Sequence, residues 1–115
     1  MARSILRQKA IDDLSDIWNY TESTWSESQA DKYYGMIKTA CKELAKGKVS
    51  GRKFDDISDG LLGYGVGKHI IFYQQISNKE IEVVRILHER MDLKNRSKTN
   101  DFKLRRSGIL IEGSA

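Results

Sequence analysis

The run Arg85-Ile-Leu-His-Glu-Arg-Met-Asp92 gathers two guanidiniums, an imidazole and two carboxylates within eight residues. Arg85 sits among apolar neighbours at the alternate positions Val83 and Leu87. It is therefore expected either to bury against a carboxylate such as Asp92 or to meet a carboxylate on a partner, and the second role is the one assigned to it. His88 and Arg90 lie beside it and complete a basic cluster. Other residues could in principle do chemistry. His69, between Lys68 and Ile70, reads as a half-buried strand histidine. Cys41 has no second cysteine to pair with and falls on an apolar helical stripe, so it reads as a small buried hydrophobe without the positive surroundings a reactive thiolate needs. Trp25 either staples a helical turn or anchors another protein. The glycine-rich Gly60-Leu-Leu-Gly-Tyr-Gly-Val-Gly67 has no GxGxxG between a strand and a helix and is not a nucleotide loop.

These side chains need a frame. Lys68 to Ile76 and Ile81 to Asp92 are rich in Ile, Val, Phe and Tyr and are joined through Ser77-Asn78-Lys79-Glu80, which predicts a β-hairpin apolar on both faces. One face can be sealed by helices, and the other is expected to receive a partner. Ile5 to Gln8 reads as a short first strand. From Ala10 the period becomes helical, with Ile11, Leu14, Ile17, Trp18 and Thr21 in one stripe and a stop near Thr24. Ser26-Glu-Ser-Gln29 matches a capping box, and Ala30, Tyr33, Tyr34, Ile37, Cys41, Leu44 and Ala45 then mark a second helix ending at Gly47. Both tyrosines are expected in the core. So short a connection makes the two helices an antiparallel hairpin. Gly47 to Gly60 reads as loop, and Gly60 to Gly67 as an irregular strand.

With 115 residues the chain is one domain, able to bury a core without disulfides or metals. It contains no membrane-length apolar run and no N-terminal signal pattern, so a cytoplasmic protein is expected. Its net charge of +4 lies in the tail. Residues 1–93 balance 14 Lys and Arg against 14 Asp and Glu, while 94–115 carry Lys94, Arg96, Lys98, Lys103, Arg105 and Arg106 against Asp101 and Glu112. A neutral body argues against non-specific nucleic-acid binding.

The order helical hairpin, glycine-punctuated strand, His69-Ile-Ile-Phe-Tyr73 and Val83-Val-Arg-Ile-Leu-His-x-Arg-x-Asp92 resembles the ParE branch of the RelE/ParE toxin superfamily. Asp13-Leu14, Ile17-x-x-Tyr20 and Trp25 fit as well, and the resemblance runs from about Ala10 to Leu93. It implies an α+β fold with an antiparallel β-sheet packed against an N-terminal two-helix hairpin, over residues 1–93, followed by a basic extension at 94–115. It further implies a toxin that inhibits DNA gyrase and is held inactive in a hetero-oligomer with a cognate ParD-like antitoxin, touching DNA only through that complex. The RelE branch would instead imply ribosome-dependent cleavage of messenger RNA.

RelE-type cleavage needs a base, an acid and cations around the scissile phosphate. In this chain the strand position for a cation aligns with Ile70, the position six beyond Arg90 is Arg96 where a tyrosine would be expected, and no tyrosine follows Tyr73. Arg90 aligns with a RelE-type arginine and His88 lies beside it, which keeps the endoribonuclease as the alternative. A decayed toxin retained as an antitoxin-binding module is a third reading. No catalytic residue, metal or cofactor is assigned. Trp25, Arg85, His88, Arg90 and Arg96 are the candidates for antitoxin or target binding.

Overall fold

The computed structural model describes residues 2–90. In chain order the elements are β1 (Arg3–Leu6), α1 (Gln8–Thr24), α2 (Glu27–Lys46), β2 (Arg52–Lys53), β3 (Leu62–Val66), β4 (His69–Ser77) and β5 (Glu80–His88). They form one five-stranded sheet in the order β1-β5-β4-β3-β2, backed by the helical hairpin. Pairings between β2 and β5 are antiparallel, and β1 adds a parallel edge on β5, Arg3 facing Glu80 and Leu6 facing Val83. No helix among the described residues is long and apolar enough to cross a membrane.

The helix boundaries follow from their caps. β1 ends two residues earlier than its composition suggests, and Arg7, in extended conformation, turns the chain into α1 at Gln8. Ser26 caps α2, its hydroxyl accepting the Gln29 amide at 3.1 Å, which contributes about 1 kcal/mol. At the other end Gly47 takes φ +77°, and the amides of Gly47 and Lys48 donate to Leu44 and Glu43 in a Schellman pattern that satisfies the last carbonyls. The buried stripes are Ala10, Leu14 and Ile17 on α1 and Ala30, Ile37, Ala40, Cys41, Leu44 and Ala45 on α2. Ile11 and Tyr34, expected inside, are instead exposed, each lying on a flank of its helix that meets neither sheet nor partner helix.

Helices and sheet share a core with Ile71, Tyr73, Ile81, Val83 and Ile86. The opposite face is not left bare. Residues 54–61 of the supposed polar loop fold over it, so that Phe54 and Leu61 pack with Phe72 and Leu87, the Phe54 and Phe72 rings meeting edge to face at 5.2 Å. Fully burying side chains of this size stabilises by about 1.5–3 kcal/mol each, enough to close the face with a short segment of the same chain. Gly63 makes room for it, because a Cβ there would come within 2.6 Å of the Phe54 ring. β3 is accordingly a regular strand, its glycines accommodating a neighbour instead of breaking the ladder.

A bulge determines where the functional candidates point. The β4–β5 register slips between Phe72 and Tyr73, so Tyr73 faces Val83, Phe72 faces Arg85 and Val84 is left over. The extra residue breaks the expected alternation of Val83, Arg85 and Leu87: Val83 joins the helix-side core and Leu87 the opposite cluster.

Candidate functional site

Beyond Val83, β5 has no strand neighbour on its outer edge, because β1 stops at Leu6 and the Arg7 amide takes the Val83 carbonyl at 3.0 Å. The next outward amide belongs to Ile86. It donates to Asp13 Oδ2 at 3.0 Å, reaching across from the second turn of α1. The same carboxylate receives Arg85 Nε at 2.7 Å and Nη2 at 2.8 Å, a bidentate pair in which both side chains are only 12% exposed. Asp13 thus closes a sheet edge and neutralises the cation beside it. This corrects the role expected of Arg85. Its carboxylate partner is neither Asp92 nor another protein but an aspartate 72 residues earlier. Arg7 is committed in the same way, its Nη2 lying 3.1 Å from the buried Glu82.

His88 and Arg90 do come together, at the end of β5, where the Arg90 amide donates to His88 Nδ1 at 3.1 Å. His69 joins them from the facing position on β4, the two imidazoles meeting edge to face at 5.4 Å. Tyr33 of α2 completes the cluster. Its hydroxyl accepts the Lys68 amide at 3.1 Å, donates to the Val66 carbonyl at 3.1 Å and lies 2.7 Å from His69 Nδ1. A phenol has one proton, already given to Val66, so hydrogen-bond accounting makes His69 Nδ1 the donor and Tyr33 the acceptor. Burial raises the Tyr33 pKa and keeps that proton in place. Burial, with His88 nearby, holds the His69 pKa below its ordinary value, against the smaller opposing pull of Glu89 and Asp13. Tyr33 and His69 therefore tie α2 to the β3–β4 turn. Tyr33 was placed in the core by its spacing, and its polar tip had no signal within its own helix.

Trp25 stands apart, 12 residues and about 18 Å of helix axis beyond Asp13. It is 73% exposed and held by its amide on Thr21 at 2.8 Å. Arg90 is exposed. Arg96 lies outside the described residues, as does the basic segment 94–115. Cys41 is buried, and desolvation, only partly offset by Lys38, pushes its thiol up to about 11. Among the described residues, no three His, Cys, Asp or Glu side chains converge as metal ligands would.

One further surface is an open groove between α2 and β3, lined by Met36, Thr39, Ala40, Tyr64 and Gly65. β2 pairs only with Leu62 and Gly63, so the rest of the β3 edge borders this groove unpaired by β2.

The arrangement has close counterparts in known proteins. A family described as the ParE toxin of type II toxin-antitoxin systems, parDE, matches residues 5–93. Toxin ParE1 of Mycobacterium tuberculosis (strain H37Rv) is 34% identical over 92 residues, covering 80% of this chain and 94% of its own length. Toxin ParE of Escherichia coli is 30% identical over 96 residues, covering 84% and 93%. In fold, the chain resembles a solved structure titled the chromosomal ParDE TA system from P. aeruginosa, with a TM-score of 0.64 over 76% of this chain and 96% of that one at 21% identity. With the family match spanning the helical hairpin and all but the start of the five-stranded sheet, this chain belongs to the ParE toxins of type II toxin-antitoxin systems.

Proposed function

We propose that this toxin acts in the bacterial cytoplasm by poisoning DNA gyrase without itself being an enzyme, and that a ParD-like antitoxin silences it. The observation that carries the non-enzymatic reading is the fate of the cations on the sheet. The Ile70 position, where a nuclease of the RelE branch would place a basic group, packs against the Phe54, Leu61, Phe72 and Leu87 cluster. Arg85 is bound to Asp13. A scissile phosphate at that face would meet apolar side chains where its charge needs donors. His88 and Arg90 remain as the observation favouring the alternative.

The ParD-like partner is supported by the titles of the relatives and of the structural neighbour. The expected docking face moves, because residues 54–61 already cover the face the helices leave open. We place the antitoxin segment in the groove between α2 and the β3 edge, where extended backbone can add to a strand and apolar side chains can meet Met36, Ala40 and Tyr64. The resulting hetero-oligomer would touch DNA through its antitoxin.

The test is a gyrase supercoiling assay with the purified chain, alone and with antitoxin, beside a ribosome-dependent cleavage assay. Gyrase inhibition relieved by antitoxin is expected. Messenger RNA cleavage with supercoiling intact would reverse the assignment to the RelE-type activity, and inactivity in both would favour the decayed toxin. Met36→Glu should weaken antitoxin binding at least tenfold, and unchanged affinity would remove the groove from the interface.

A further inference from the structure

The free end of the helical hairpin combines exposed aromatics with a single sign of charge. Tyr20 is 67% exposed and Trp25 is 73% exposed, the two most exposed large apolar side chains among the described residues. Both are held on rigid backbone. Tyr20 lies in the last turns of α1, and Trp25 is clamped between the end of α1 and the Ser26 cap of α2. From Ala10 to Asp31 the chain has six carboxylates, Asp12, Asp13, Asp16, Glu22, Glu27 and Asp31, and no Lys, Arg or His. Asp13 is neutralised by Arg85 and Asp31 accepts the Trp18 indole N–H at 3.0 Å, whereas Glu22 and Glu27 are exposed on either side of Trp25 in sequence.

A tryptophan presented on fixed backbone costs little to order on binding, which suits it to anchor an interface. The surrounding carboxylates decide the kind of partner. They repel nucleic acid and acidic proteins, and they favour guanidinium and ammonium groups, which also stack on the faces of Trp and Tyr. We propose that this end of the hairpin is the docking surface for an arginine- and lysine-rich protein surface, with Trp25 as anchor and Glu22 and Glu27 as the charged rim. Together with the gyrase reading, on which this part rests, it implies that the toxin approaches gyrase through a basic surface of the kind that otherwise holds DNA, and competes with DNA for it.

The experiment separates the two ideas. Binding of fluorescently labelled nona-arginine to the full chain is followed by anisotropy at low and raised salt, and gyrase inhibition and antitoxin affinity are measured on the same variants. Glu22→Lys/Glu27→Lys and Trp25→Ala should each weaken nona-arginine binding, the charge reversal at least tenfold, and added salt should weaken the wild type similarly. Both variants should keep antitoxin affinity, which also shows that they fold. If the wild type inhibits gyrase, the variants should lose that inhibition at least tenfold, and excess duplex DNA should protect the enzyme. Nona-arginine binding that ignores both variants would overturn the proposal, as would an equal loss of antitoxin affinity, which would make the tip part of the antitoxin site. A wild type that leaves gyrase untouched while the nona-arginine arm behaves as stated would overturn only the choice of gyrase.

Discussion

Replacing Asp13 by alanine tests the reading of Arg85 most directly. The substitution removes both acceptors of the guanidinium and the acceptor of the Ile86 amide at once, in a site where both ionic side chains are 12% exposed. Removing one partner of a buried pair costs about 3–5 kcal/mol, and an orphaned buried amide about 1–3 kcal/mol. The two overlap, and the residual exposure admits some water, so a loss of about 3 kcal/mol is expected. For a domain of this size each kcal/mol lowers Tm by about 4–8 °C, giving a drop of about 12–24 °C. Urea unfolding at neutral pH measures the same loss as a shift in midpoint at constant slope. Asp13→Asn keeps an acceptor for Ile86 and should fall between the two. In a double-mutant cycle with Arg85→Met, the pair should show a coupling of about 2 kcal/mol, since the double variant orphans only the amide. A loss below about 1 kcal/mol for Asp13→Ala, or coupling within error of zero, would refute the claim that this pair closes the β5 edge and return Arg85 to the list of interface cations.

Other consequences can be checked on the isolated chain. Gly67 holds φ +58°, and a Cβ there would lie 2.6 Å from the Tyr33 hydroxyl, so Gly67→Ala should destabilise by about 2 kcal/mol or more through left-handed strain and a displaced phenol; unchanged urea stability would contradict it. His69, held below the ordinary 6.5 by burial and His88, releases its proton more readily folded than unfolded. Its contribution is therefore complete above about pH 6.5 and declines as pH falls from there, so His69→Gln should flatten stability between pH 7 and 5, and an identical slope would argue against it. Cys41, with its thiol at about 11 and its side chain buried, should resist a thiol-specific reagent at pH 8 until urea unfolds the protein, and rapid labelling of the native chain would contradict the packing.

Much of this toxin is legible in its sequence because the relevant forces are local. The helical hairpin follows from 3.6-residue periodicity, the Ser26 cap and the Gly47 stop, and the β4–β5 hairpin from its β-branched runs and polar turn, each signal acting within a few residues. The exposure of Trp25 was also open to reading, since a tryptophan in a two-residue helical connection has few neighbours to bury it. What the sequence could not decide are contacts between distant segments. Asp13 carries a signal only as a carboxylate near a helix start, and nothing nearby marks it as the acceptor for Arg85 and Ile86, because that role exists only once β1 has paired parallel with β5 and stopped short. The bulge at Val84 reverses every facing after it by inserting one residue into a ladder of period two, and alternation counted along one strand cannot detect it. The second apolar face was visible as a face, but its cover was not, since Phe54 and Leu61 stand alone in a polar segment and acquire their role only when Gly63 leaves space for a ring. Sequence thus determined the elements and the surface aromatics, while tertiary structure decided which charges are spent inside the fold and which remain for a partner, because desolvation and pairing depend on neighbours that only folding supplies.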